Sequence, residues 1–168
     1  MSKKKSYIII SIIIIVGIVL DLVTKWFFAQ YFDANQSDII VISDFFKFTF
    51  VKNTGAAYGM FGDSTLMLTI VSVVFIVAFC VYDYFNHSGS LWYIFGIALI
   101  ISGAIGNLID RIFLGYVRDF ISISLFSFVF NIADLLITVG VICFVIHMII
   151  SIIKEQKEKR TNGMDNNW

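Results

Sequence analysis

Four long apolar runs, Tyr7 to Leu20, Leu66 to Tyr82, Leu91 to Leu108 and Leu135 to Ile153, occupy most of the chain, with short polar stretches between them. Together with its flanks, each run can cross the hydrocarbon core as a helix, which takes roughly 20 residues at about 1.5 Å of rise per residue. The pattern predicts helices over about residues 7–28, 66–82, 91–111 and 131–153. Between the first two the period changes. Ile39 to Ile42, then Phe46, Phe48 and Phe50 alternating with Lys47, Thr49 and Val51, show strand spacing. A small sheet resting on the membrane surface follows, its Phe face turned either to lipid or a ligand's apolar part, or packed as a cap on the helix ends. The expected fold is an all-α membrane protein with four transmembrane helices and a small extracytoplasmic β-sheet, a single domain over 1–168.

Composition agrees: 59% of the 168 residues are hydrophobic and 14% charged, and mean hydropathy is +0.90. Such a chain needs lipid as its solvent. The first run resembles a signal peptide after Lys3, Lys4 and Lys5, but no small-residue cleavage site follows. Asp21, Lys25 and Trp26-Phe27-Phe28 continue it, so it is read as a retained helix. Basic residues flank both ends, with Lys154, Lys157, Lys159 and Arg160 after the last run. An even number of spans and the positive-inside rule then place both termini in the cytoplasm. The loop Asp83 to Ser90 is inside as well, and the segments 30–65 and 109–127 face outward. Net charge is zero, nothing resembles a nucleic-acid patch, and the expected partners are membrane lipids and a membrane-borne substrate, with no obligate protein partner. Cys80 and Cys143 fall toward the cytoplasmic ends of their helices and are expected to be two buried thiols without a disulfide.

The polar residues converge in depth. By helical rise, Asp21 stands roughly 21 Å above Tyr7, and Asn107 and Arg111 roughly 24 to 30 Å above Leu91. Asn131 and Asp134 begin the descending fourth helix and return to the same outer layer. An ionisable residue in a membrane is costly and tends to mark function. Asp21 and Lys25, spaced i, i+4, suit a salt bridge at the lipid boundary. Asn107 and Arg111 share that spacing, with Gly103 keeping their face open. Arg111 is either a snorkelling anchor or, with Asn107, a holder of substrate carbonyls. Asp110 points away and stabilises Arg111 or the helix end. Asn53-Thr54-Gly55-Ala56-Ala57-Tyr58-Gly59 permits close backbone approach, and Asn53 offers donors and an acceptor.

Asp119, in Val117-Arg118-Asp119-Phe120, and Asp134, in Phe130-Asn131-Ile132-Ala133-Asp134, are joined by an extended return in which Ile121, Ile123 and Leu125 alternate with Ser122 and Ser124. That return can bring the carboxyls together. Two readings stand open on these residues alone: a catalytic pair, or an Asp119 facing water and an Asp134 capping its helix. Two close carboxyls share one proton, so one can activate water while the other polarises a carbonyl, the chemistry of peptide hydrolysis. His87 lies in the cytoplasmic loop and His147 roughly 20 Å below Asp134, so no imidazole reaches the outer layer. This removes Ser–His and Cys–His nucleophiles and argues against a zinc site. No metal or cofactor is expected. A transporter, the rival reading, predicts charges strung through the bilayer depth rather than gathered at one face.

Five blocks, Asp21-x-x-Thr24-Lys25, Asn53-x-Gly55-Ala56-Ala57, Gly103-x-x-Gly106-Asn107-x-x-Asp110-Arg111, Val117-x-Asp119-Phe120 and Phe130-Asn131-x-Ala133-Asp134, together resemble the lipoprotein signal peptidase (signal peptidase II) family, in the family's order. The resemblance implies an aspartyl endopeptidase of the bacterial cytoplasmic membrane that cuts signal peptides from prolipoproteins just before a diacylglyceryl-modified cysteine. By the same resemblance Asp119 and Asp134 are the catalytic dyad. Asn53, Gly55, Asn107, Arg111, Asn131 and Ala133 line or shape the site, and Asp21, Lys25 and Asp110 support it. Leu22, Phe128 and Leu135 depart from the family's usual residues, and the stretch between the aspartates is short.

Overall fold

In the computed structural model, residues 1–35, 37–55 and 64–165 are described, with side chains for 1–35, 37–55 and 65–159. Four apolar helices, each long enough to cross a membrane, alternate with a small sheet: α1 (Lys3–Asn35), β1 (Ile39–Ile42), β2 (Phe46–Asn53), α2 (Ser64–Asn86), α3 (Leu91–Leu114), β3 (Val117–Ile123), β4 (Val129–Phe130) and α4 (Ile132–Asp165). The all-α class with a surface sheet is therefore observed, and every helix extends a turn or more beyond its apolar run. The predicted loop from Asp83 shrinks accordingly, since Asp83 to Asn86 complete α2.

The apolar residues divide between lipid and protein. Two-thirds of the apolar window of α3 is buried within the protein and none of that of α2. Hence α3 is the central helix, packed against α1 and α4 and more lightly against α2. Tyr93, Ile94, Ile97, Ala98 and Ile101 of α3 meet Ile10 of α1 in the main core. Small residues let the polar ends approach. A Cβ on Gly103 would collide with the Ala133 carbonyl, and one on Gly106 with the Asp21 carboxylate. The face beside Gly103 is thus filled by α4 and is not open, contrary to the expectation from sequence.

All four strands pair antiparallel in the order β1-β2-β3-β4. The extended return between the aspartates forms β3, a turn and β4. Of the two orientations open for the Phe face, the cap is the one observed. Phe28 of α1 stacks 4.3 Å from Phe120 and 4.6 Å from Phe48, and Phe32 packs 6.1 Å from Phe50. This aromatic seam fixes the sheet to the extension of α1.

The thiols require correction. Cys80 is exposed and Cys143 half-buried, both free, because α2 and the outer side of α4 present their side chains away from the protein core. At the same end of the bundle, Tyr93 donates to Asp83 at 2.8 Å and His87 lies 2.8 Å from the same oxygen. Tyr7 stacks on His87 and His147 meets the Tyr93 ring. This end of the helices therefore holds a buried carboxylate that the hydropathy pattern assigned to a loop. Both histidines sit in this cluster, at the opposite end of α3 and α4 from Asn107 and Asp134.

Candidate active site

Helix α4 begins with a reciprocal cap. Asn131 is the N-cap residue: its Oδ1 accepts the Asp134 N–H at 3.1 Å, and Asp134 Oδ2 accepts the Asn131 N–H at 3.1 Å. This is the capping-box arrangement, which satisfies two of the free N–H groups at a helix start. A third, the N–H of Ala133, donates to Asp21 Oδ1 at 2.9 Å. Asp134 therefore does cap its helix, as one of the two readings held, but only Oδ2 is used for that. Its Oδ1 accepts Asn107 Nδ2 at 2.8 Å.

The other aspartate arrives from the sheet. Asn53 stands opposite Val117 in the β2–β3 register, two residues from Asp119 and on the same face. Its Nδ2 donates to Asp119 Oδ2 at 2.8 Å, while its Oδ1 accepts the Gly55 N–H at 2.8 Å. Gly55 has φ 77°, the left-handed region that favours glycine. Ala56, Ala57, Tyr58 and Gly59 lie outside the described residues. Asn131 completes the link: Nδ2 donates to Asp119 Oδ1 at 2.6 Å and to Asn107 Oδ1 at 3.1 Å. One asparagine thus touches both carboxyl groups, and the structure brings together Asp119 and Asp134 with Asn53, Asn107 and Asn131.

Behind this layer lies a buried chain of charges. Lys25 Nζ is 2.8 Å from Asp21 Oδ2, 2.9 Å from Asn107 Oδ1 and 3.6 Å from Asp110 Oδ2, with no exposure of Lys25 or Asp21. The i, i+4 pair forms as expected, but inside the protein and not at the lipid boundary. Asp110 faces Arg118, not Arg111: Arg118 Nη2 lies 2.6 Å from Oδ1, and the Arg118 N–H donates to Oδ2 at 3.0 Å. This ties the end of α3, closed by the left-handed Gly115, to the start of β3. Arg118 is a residue that sequence reasoning passed over. Its signal was an arginine next to Asp119, eight residues from a buried acid across a helix end. Arg111 is half-buried and directs Nη1 toward Ser72 Oγ at 3.4 Å, on the α2 side. Ala133 is fully buried beneath α3. Of the atypical residues, Leu135 donates its backbone N–H to the Asn131 carbonyl at 3.3 Å, as the first turn of α4 requires, and its apolar side chain adds no polar group to this network.

Burial pushes the Asp119 carboxyl up to about 6. Hydrogen bonds from Asn53 and Asn131 oppose the rise, and the charge of Asp134 adds to it. Two outcomes follow. Asp134→Asn removes a like charge, so the titration midpoint of Asp119, followed by its carboxyl infrared band, is expected to fall. The folded protein also binds the Asp119 proton more tightly than the unfolded chain between the ordinary value of 3.8 and about 6. Its contribution to stability is therefore greatest below that window and is lost as pH rises through it, by at most about 3 kcal/mol. A midpoint unchanged by Asp134→Asn would show that the two groups do not sense each other.

Four helices long and apolar enough to cross a membrane, gathered around a layer of buried, hydrogen-bonded carboxylates, define a multi-pass membrane protein with a polar site at one end of its helices. Residues 13–150 match the family profile for signal peptidase (SPase) II, and the chain belongs to that family. A lipoprotein signal peptidase of Clostridium tetani (strain Massachusetts / E88) is 43% identical over 142 residues, 82% of this chain and 90% of the relative. Another, from Caldanaerobacter subterraneus subsp. tengcongensis, is 42% identical over 133 residues, covering 79% and 90%. A solved bacterial membrane enzyme superposes with a TM-score of 0.74 at 30% identity, over 83% of this chain and 91% of the other. Family membership makes the chain a protease acting on signal peptides.

Proposed function

We propose that the chain is an aspartyl endopeptidase of the bacterial cytoplasmic membrane that releases signal peptides from prolipoproteins, cutting before the diacylglyceryl-modified cysteine. The observation that carries the reading is the shared coordination of Asp119 and Asp134 by Asn131, with Asn53 and Asn107 each bound to one carboxyl. No imidazole is among these partners.

In this reading Asp119, whose ionisation burial opposes, keeps the shared proton and Asp134 is the base. Asp134 takes a proton from a water as that water attacks the scissile carbonyl carbon, and Asp119 donates its proton to the carbonyl oxygen. Collapse of the tetrahedral adduct breaks the C–N bond, and the nitrogen leaves with a proton returned by the pair. Arg111, turned toward α2, holds substrate carbonyls, and Asn53 with Gly55 shapes the other wall. The substrate's lipid reaches the pair sideways between helices, so bilayer depth selects the bond. The basic residues flanking both termini support a cytoplasmic location for the two ends and an outer-face site.

The test is cleavage of a precursor peptide by the purified chain in lipid. The diacylglyceryl-modified peptide is expected to be cut, with product masses placing scission on the N-terminal side of the modified cysteine, and the unmodified peptide is expected to survive. Equal cutting of both peptides, or scission elsewhere, would defeat this reading of the substrate.

A further inference from the structure

We propose that Arg118 is a positioning residue for the aspartate pair, acting through Asp110 to keep the Lys25 ammonium on Asn107. The inference rests on the function proposed above. Asp21, Lys25, Asp110 and Arg118 form one alternating chain of two anions and two cations across α1, α3 and β3. Three members are essentially without exposure, and the Arg118 side chain retains 15%. It is the member by which the chain reaches the surface.

The division of labour on Lys25 depends on this balance. Lys25 Nζ is 2.8 Å from Asp21 and 2.9 Å from Asn107, but 3.6 Å from Asp110. Asp110 can stay at that distance because Arg118 already supplies it with Nη2 at 2.6 Å, Nε at 3.2 Å and its backbone N–H at 3.0 Å. A buried carboxylate deprived of its guanidinium draws in the nearest cation. That cation is Lys25, and moving toward Asp110 takes it from Asn107 Oδ1. The Asn107 amide then loses one of the two donors that fix which end carries the oxygen, and with it the Nδ2 contact to Asp134. Lys52, opposite Arg118 in the β2–β3 register, is committed to the Tyr116 ring at 5.3 Å and exposed, so it does not replace the guanidinium.

The test is steady-state kinetics on the lipidated precursor with Arg118→Gln, Arg118→Lys and the double variant Asp110→Asn/Arg118→Gln. Loss of orientation at the reacting groups is expected to lower kcat of Arg118→Gln by about tenfold while KM changes less than about twofold. Lysine restores the charge and should regain most of the rate. The double variant removes the unpaired anion together with the cation, and so should outperform Arg118→Gln alone. A kcat for Arg118→Gln within about twofold of the parent overturns the proposal, as does a loss confined to KM. So does a double variant slower than the single. Where Arg118→Gln does not accumulate, the order of the other two variants decides: both near the parent supports the proposal, and a double variant far below the lysine variant overturns it. Asp119→Asn is run beside them. An active Arg118→Gln with an inactive Asp119→Asn refutes the role of Arg118 alone, whereas an active Asp119→Asn refutes the catalytic pair itself.

Discussion

Asp119→Asn and Asp134→Asn are each expected to lower the rate of precursor cleavage by about 10³-fold or more, the largest effects anticipated for single substitutions. Both carboxyls already accept two hydrogen bonds, so the substitutions act on charge and proton exchange more than on shape. An amide at position 119 keeps an oxygen for Asn131 or for Asn53 but not for both, and at position 134 its NH2 opposes either Asn107 or the Asn131 N–H. Each variant thus also loses a contact worth about 1 kcal/mol. That loss is too small to unfold the bundle, and insertion and thermal stability should remain close to the parent's. Rates are to be compared at equal amounts of folded enzyme. Either variant cutting within about tenfold of the parent would remove that aspartate from the chemistry.

The two aspartates could be placed at one level from sequence because helical rise and span length fix depth. How they meet could not be read that way. Asn131 contacting both carboxyls is a property of the angle between β3 and the start of α4, which no periodicity encodes. The capping box is legible in Asn131-Ile132-Ala133-Asp134, yet capping does not exclude the proposed catalytic role, because it occupies Oδ2 and leaves Oδ1 to Asn107. The Asp21–Lys25 pair was visible from its spacing. Its burial was not, because burial follows from Gly106 letting α1 close on α3. Of the two roles open to Asp110, stabilising Arg111 or the helix end, the structure takes the second, through Arg118, a partner that arrives only after Gly115 closes α3. Likewise Asp83, the first charged residue after an apolar run, reads as the start of a loop, and only the approach of Tyr93 and His87 shows it as a buried acceptor.

These differences share one physical source. In a membrane the pattern of apolar residues reports exposure to lipid, so it finds helices well and says little about which face of each meets another. The polar residues carry that information. A charge that cannot be hydrated has to find its counterpart in the protein, and Asp21, Lys25, Asp110 and Arg118 do, whereas buried Asp119 has only the amides of Asn53 and Asn131. Asp21, Lys25, Asp110 and Arg118 therefore join α1, α3 and β3 while setting the Asn107 amide on which Asp134 leans.

Lys25→Met follows from that dual role, and it is expected to cost about 3–5 kcal/mol of stability together with most of the activity. Methionine, an unbranched side chain one atom shorter than lysine, fills most of the same channel without leaving a large void. What it cannot do is neutralise Asp21, which has no exposure and, among the described residues, no other cation within salt-bridge distance. It also withdraws a donor from Asn107 Oδ1. The two consequences can be separated by adding Asp21→Asn. Asparagine at 21 can still accept the Ala133 N–H through its oxygen and carries no charge, so thermal stability in lipid should largely return. Cleavage should not, because Asn107 remains without its ammonium donor. Unchanged stability of Lys25→Met would show that the buried pair contributes nothing to folding. Recovery of activity along with stability in the double variant would mean that Lys25 serves the fold alone, and that Asn107 is oriented by Asn131 without its help.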